Sequence, residues 1–120
     1  MKQVSTEKAP VAVGPYSQAI ISGNLVYASG QLGLGEGANK DIASQTESAI
    51  QNLSEVLNAA GSGLFKVVKT TCFLADIADF AVFNGIYAKY FPQKPARSLV
   101  QAAALPKGAL VEIEAIAEIN

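Results

Sequence analysis

Pro95-Ala96-Arg97-Ser98-Leu99-Val100, followed after the turn residues Pro106-Lys107-Gly108 by Leu110-Val111-Glu112-Ile113-Glu114, is the stretch that organises this chain. Apolar residues alternate with Arg97 in the first run and with Glu112 and Glu114 in the second. The pattern predicts two strands joined as a terminal hairpin. A charge inside a strand costs free energy, because a central strand has at most one wet face. Arg97 is a planar, permanently charged fork that suits a carboxylate or a phosphate. Glu112 is a candidate proton-transfer group. From this stretch alone, a plain cross-strand ion pair between Arg97 and Glu112 is the simpler reading.

Working outward, the last strand-like run, Leu110 to Ile119, extends the same alternation. Val111, Ile113, Ala115, Ala117 and Ile119 share one side and should lie under helices, while Leu110, Glu112, Glu114, Ile116 and Glu118 share the other. Leu25-Val26-Tyr27-Ala28-Ser29 is similarly two-sided. Residues 2–8 read as a short edge strand, 9–14 as a Pro- and Gly-punctuated loop, and 17–21 with 25–29 as a hairpin about Ser22-Gly23-Asn24. Gly30 closes that strand, and the glycine-rich residues 33–40 read as a mobile surface loop. Asp41 can cap a helix running to about Ala60, with a stripe of Ile42, Thr46, Ala49, Ile50, Leu53, Val56, Leu57 and Ala60, stopped by Gly61. Residues 65–74 are strand-like. Asp76 or Asp79 can start a second helix, whose stripe is Phe80, Phe83, Tyr87 and Tyr90 and which ends before Pro92.

Helices lying between strands imply crossovers, so part of the sheet should be parallel, with both helices on one face. The expected class is α+β, a mixed sheet in a single domain over residues 1–120. A sheet with one face under helices and a half-apolar opposite face points to a second subunit.

Composition excludes several functions. The chain has no histidine, a net charge of −1 and one cysteine. With no histidine, neither a Ser-His-Asp nor a Cys-His site can be built, and with a lone cysteine no transition-metal site is expected. The charge balance gives no footprint for nucleic acid or an anionic membrane. No run is apolar enough to cross a bilayer, and Met1-Lys2-Gln3-Val4-Ser5 has no signal-peptide character. Cys72 cannot pair within the chain and reads as a buried core residue in a reduced, cytoplasmic setting. Gly33-Leu34-Gly35-Glu36-Gly37 lacks the Lys-Ser/Thr of a phosphate cradle. No metal and no cofactor is expected, which leaves acid–base chemistry by carboxylate, arginine and backbone groups.

Further candidates are Tyr16, set by Gly14-Pro15 at the head of a strand, as a pocket or an interface residue; Ser29-Gly30, where a ligand could approach a backbone N–H or the strand simply ends; and Asn84, bonded to a nearby loop or satisfied between helix and sheet.

These residues fall in blocks that resemble the RidA (YjgF) family of reactive intermediate imine deaminases: Gly14-Pro15-Tyr16-Ser17-Gln18-Ala19, Ala28-Ser29-Gly30-Gln31, Val68-Lys69-Thr70-Thr71-Cys72-Phe73, Pro95-Ala96-Arg97-Ser98 and Val111-Glu112-Ile113-Glu114-Ala115. The resemblance implies a chorismate-mutase-like fold assembled as a homotrimeric barrel with clefts between subunits. It implies hydrolysis of 2-imino acids such as 2-aminoacrylate, released by pyridoxal-phosphate-dependent dehydratases, to 2-keto acids and ammonia. By position it gives Arg97 the substrate carboxylate and Glu112 the attacking water; Tyr16, Ser29 and Gly30 line the pocket. Leu99 stands where many deaminase members have cysteine, so only its backbone is expected to meet the ligand. A non-catalytic carboxylate-binding or regulatory member and an endoribonuclease are the competing implications, and the composition argues against the latter.

Overall fold

A computed structural model describes residues 1–34 and 41–119. The glycine-rich stretch read as a surface loop therefore lies, from residue 35 to residue 40, outside the described residues. The elements are β1 (Lys2–Val4), β2 (Ala19–Ser22), β3 (Leu25–Leu32), α1 (Ile42–Ala59), β4 (Val67–Leu74), α2 (Phe80–Tyr90), β5 (Ala96–Gln101) and β6 (Val111–Glu118). They form a six-stranded mixed sheet of order β1-β2-β3-β6-β4-β5, with both helices on one face.

Local chemistry accounts for the helices. Asp41 caps α1, its Oδ1 accepting the Ser44 N–H at 2.7 Å. Beyond the helix, Gly61 takes a φ of 83°, a left-handed conformation that glycine adopts without a side-chain clash. The α1 stripe buries Ala49, Ile50, Leu53, Val56 and Leu57 completely. Asp76 caps a short 3-10 turn over Ile77–Asp79 rather than α2 itself, and Asp79 holds the α2 N-cap position without a side-chain bond. Residues 64–66 likewise form a 3-10 turn, so β4 begins at Val67 and Phe65 is exposed. Of the α2 stripe, Phe83 and Tyr87 enter the core, whereas Phe80 is 40% exposed.

The largest departure from the sequence reading is the supposed terminal hairpin. Pro106–Gly108 does turn, with Lys107 and Gly108 at positive φ, but β5 and β6 are not partners. β4 lies between them, parallel to β5 and antiparallel to β6. β6 is central because Val111, Ile113, Ala115 and Ala117 are all buried beneath the helices, and both of its edges are hydrogen-bonded, to β3 and to β4. β5, mostly exposed, suits the edge. The turn signal is local, whereas the partner of β6 is settled by long-range burial.

β3 also runs past Gly30, to Leu32. A bulge between Ala28 and Gln31 absorbs the extra residues. It returns Gln31 to the helix-covered face beside Ile113 and sets Leu32 beside Glu112 on the open face. Gly33 then meets α1: a Cβ there would lie 2.5 Å from the carbonyl carbon and 2.6 Å from the Cα of Gln45. No helix among the described residues is long and apolar enough to cross a membrane.

Candidate functional site

A cavity of about 640 Å³ opens at the end of the sheet where the β3 bulge, the loop before β2 and the Pro106–Gly108 turn converge. Its lining includes Tyr16, Gln18, Ser29, Gly30, Lys107 and Glu112. Four of the sequence candidates, Tyr16, Ser29, Gly30 and Glu112, are thus brought together from three separate parts of the chain.

Each is held by identifiable contacts. The Tyr16 N–H donates to Gly14 O at 2.9 Å, closing a tight turn around Pro15, and the ring is 53% exposed at the cavity mouth. The Ser29 hydroxyl donates to Ser17 O at 2.7 Å and its N–H donates to Gln18 O at 2.9 Å. With its proton committed, that hydroxyl can only accept from a ligand. Gln18, 4% exposed, locks the loop over this wall: its Nε2 donates to Thr6 O and Pro10 O, and its Oε1 accepts the Thr6 N–H. Gln18 escaped notice as a site residue because a glutamine beside a strand-like run carries no chemical signal of its own. Its one trace is its place directly after Tyr16-Ser17.

Gly30 serves Glu112. A Cβ at Gly30 would lie 2.7 Å from Glu112 Cδ and 2.8 Å from Cγ, so the missing side chain makes room for the carboxylate. The neighbour that approaches this glycine is therefore a side chain of the same protein. Burial raises the Glu112 pKa above its ordinary value, and repulsion from Glu114 raises it further. The group is a stronger base than a solvated glutamate and is still ionisable.

Arg97 and Leu99 lie outside this cavity. Arg97 sits on the edge strand β5, level with buried Thr70, and faces α2. Its Nη1 donates to Asn84 Oδ1 at 2.7 Å, and its Cζ lies 4.8 Å from the Tyr87 ring centre and 5.8 Å from that of Phe80. Asn84 is therefore satisfied between helix and sheet. Leu99, on the same side, packs against the core. The cross-strand Arg97–Glu112 ion pair is not formed. Glu112 pairs with Phe73 and Arg97 with Thr70, on opposite faces of the sheet, with β4 between the two strands. Two strand spacings alone separate them by roughly 10 Å.

Cys72 is buried, and burial pushes its thiol up to about 11 despite a hydrogen bond to Thr70 and the charge of Arg97. It is a core residue, as its apolar setting in the sequence suggests. Among the described residues, no three His, Cys, Asp or Glu side chains converge as a metal cluster would require.

A sequence-family model described as Endoribonuclease L-PSP matches residues 6–119. The chain is 54% identical over 121 residues to Reactive Intermediate Deaminase A, chloroplastic, of Arabidopsis thaliana, covering 97% of this chain and 65% of that protein. It is 48% identical over 121 residues to the 2-iminobutanoate/2-iminopropanoate deaminase of Bos taurus, covering 97% and 88% of the two chains. The crystal structure of E. coli TdcF with bound serine superposes with a TM-score of 0.94 at 35% identity, covering all of both chains.

Proposed function

The chain belongs to the endoribonuclease L-PSP family, the RidA (YjgF) group, and from that premise we propose that it hydrolyses small 2-imino acids or their enamine tautomers to 2-keto acids and ammonia. The observation that carries the reading is Glu112: an ionisable carboxylate with a raised pKa, seated against Gly30 in a cavity of small-molecule size. An imine carbon is already electrophilic, so a water, one carboxylate and a carboxylate anchor suffice. Glu112 takes a proton from water as the water oxygen bonds the imine carbon, and the C=N electron pair moves to nitrogen. The proton is passed on to that nitrogen. The carbinolamine collapses as Glu112 carries its hydroxyl proton to the nitrogen, C–O becomes C=O, the C–N bond breaks and ammonia leaves. Tyr16 and Ser29 shape the wall, and the Gly30 backbone N–H is offered to the substrate.

Arg97 supplies the anchor, and its position favours a site shared between chains. Within one protomer Arg97 and Glu112 face opposite sides of the sheet and cannot grip one small acid. A neighbouring copy bringing its own Arg97 to this cavity completes the constellation. The open sheet face, with Tyr27, Val68 and Val100 exposed, gives an independent reason to associate. A homotrimer with three such sites is the assembly we propose, with a cytoplasmic setting and no nucleic-acid partner. Net charge −1 and the absence of histidine give the ribonuclease reading no support. A carboxylate-binding protein without turnover is the remaining alternative, and ammonia release separates the two.

The test couples a threonine dehydratase to keto-acid and ammonia release and then mixes subunits. Arg97→Lys keeps the charge but loses the fork and should cost ten- to a hundredfold in kcat/KM, about 1.5–3 kcal/mol for a charge-assisted contact. Tyr16→Ala and Arg97→Ala, each inactive alone, should regain activity when exchanged into mixed assemblies. No recovery despite demonstrated exchange rules out the shared site, and full activity of a folded Arg97→Ala protein rules out the anchor.

A further inference from the structure

Among the described residues Arg97 has no carboxylate partner, yet its guanidinium is held on two sides. Asn84 Oδ1 accepts from Nη1 at 2.7 Å, and the Tyr87 ring lies 4.8 Å beneath Cζ. Tyr87 is itself fixed: it is 7% exposed, its hydroxyl is 2.7 Å from Thr70 Oγ1, and its ring stacks on Phe91 with centroids 4.4 Å apart. Thr70 in turn accepts from Cys72 Sγ at 3.8 Å. A chain of buried contacts therefore runs from the sheet interior to one face of the guanidinium and one of its N–H groups.

We infer that Asn84 and Tyr87 are positioning residues that hold the Arg97 fork open for a substrate carboxylate without neutralising it. The inference rests on the reading of Arg97 as the carboxylate anchor. Its physical content is the choice of partners. Asn84 is an uncharged acceptor, and the ring face of Tyr87 offers a quadrupole rather than an anion. Either aspartate or glutamate at position 84 would orient the fork equally well but would occupy it as an ion pair. A substrate would then have to displace a carboxylate already in place. With Asn84 on Nη1 alone, the remaining donors of the guanidinium stay available. Holding the long arginine side chain in advance also removes part of the ordering cost that binding otherwise meets. α2 thereby acquires a function beyond covering the sheet: it carries the bracket for a site whose other half stands on β3 and β6.

The test uses the full-length assembled protein, with 2-oxobutanoate as the binding probe and the coupled deaminase assay as the rate readout. Asn84→Ala should raise both the probe Kd and KM about tenfold, equivalent to 1.4 kcal/mol, while kcat stays within about threefold. Asn84→Asp should fare no better than Asn84→Ala. Tyr87→Phe, which keeps the ring face, should bind nearly as the wild type does, whereas Tyr87→Leu should lose about tenfold. In an Arg97→Lys background, which has lost the fork but keeps measurable turnover, Asn84→Ala should cost less than about threefold further in kcat/KM, because it acts only through the Arg97 fork. If Arg97→Ala abolishes binding but Asn84→Ala and Asn84→Asp both bind as the wild type, the bracket is refuted and the anchor stands. An Asn84→Asp protein that binds better than Asn84→Ala refutes the argument from charge, and additive losses in the double variant refute action through Arg97. Wild-type binding by folded Arg97→Ala removes the anchor and the inference with it. Should Tyr87→Leu fail to fold, the Asn84 variants decide the outcome.

Discussion

Gly30→Ala should leave the protein folded and disable it. A methyl at this position would meet Glu112 at 2.7 Å from Cδ and 2.8 Å from Cγ. Carbon atoms rest at about 3.5–4.0 Å, so the carboxyl group must retreat by roughly 1 Å. It can do so, because the obstacle is a partly exposed side chain with rotatable bonds. The cost of that retreat is set against a gain of about 0.4–1 kcal/mol from restricting the unfolded chain, so net stability should stay within about 1 kcal/mol of wild type. The rate has no such compensation. Displacing the base by about 1 Å from the reacting atoms costs on the order of a hundredfold. Gly33→Ala provides the contrast from the same end of β3. There the methyl would lie 2.5 Å from the carbonyl carbon of Gln45, within the backbone of α1. Gln45 cannot step aside: its Oε1 accepts the Leu110 N–H at 2.8 Å and so ties α1 to the segment entering β6. Overpacking against fixed backbone should cost about 3 kcal/mol or more. Denaturant unfolding and single-turnover ammonia release on both variants check the pair. Wild-type kcat in Gly30→Ala, or a Gly33→Ala protein as stable as the parent, would refute the reasoning.

Glu112→Gln should lose kcat while keeping its affinity for 2-oxobutanoate, and it should unfold at a higher temperature than wild type at neutral pH. The sign follows from the raised pKa: between the unfolded and folded values the native state binds more protons, so wild-type stability falls as pH rises through that window, and the glutamine variant escapes the loss. Thermal scans should show the advantage shrinking as pH falls below the ordinary glutamate range; a constant advantage at every pH would contradict it. Cys72, with its thiol pushed up to about 11, should resist alkylation at neutral pH in the folded state and react once unfolded, and Cys72→Ala should retain turnover. Rapid labelling of the native protein, or loss of kcat in a folded Cys72→Ala variant, would show that the thiol is more than core packing.

What could be read in the sequence was what is written locally. Asp41 and Gly61 bound α1 because capping and left-handed φ are properties of a few adjacent residues. The two faces of β6 follow from its alternation, and the parallel β4–β5 pair follows from the intervening helix. The strand order was hidden because a turn at Pro106–Gly108 looks the same whether the flanking strands pair or straddle a third. Arg97 and Glu112 stood out as charges within strands. Asn84 and Gly30 were candidates too, but their roles beside those charges were not legible, because Asn84 lies 13 residues from Arg97 on a different element, and the need for Gly30 exists only once Glu112 folds over it.

The ion pair that the sequence suggested would have disabled the proposed chemistry. Joined across neighbouring strands, Glu112 would fill the fork of Arg97, and Arg97 would pull the Glu112 pKa down, leaving a weak base and an occupied anchor. The strand order prevents this by inserting β4 and turning the two groups to opposite faces. Each then has surroundings suited to the role proposed for it. Glu112 has burial, the Glu114 charge and the space over Gly30, all of which keep it basic and in place. Arg97 has a neutral acceptor and an aromatic face, which orient the fork and leave its charge unspent. The separation has a consequence for assembly. Under the proposed function, groups kept apart within one chain act on one small acid only when a second copy brings its Arg97 to the first copy's cavity. On this argument, association is a condition for the reaction rather than an addition to a complete monomer.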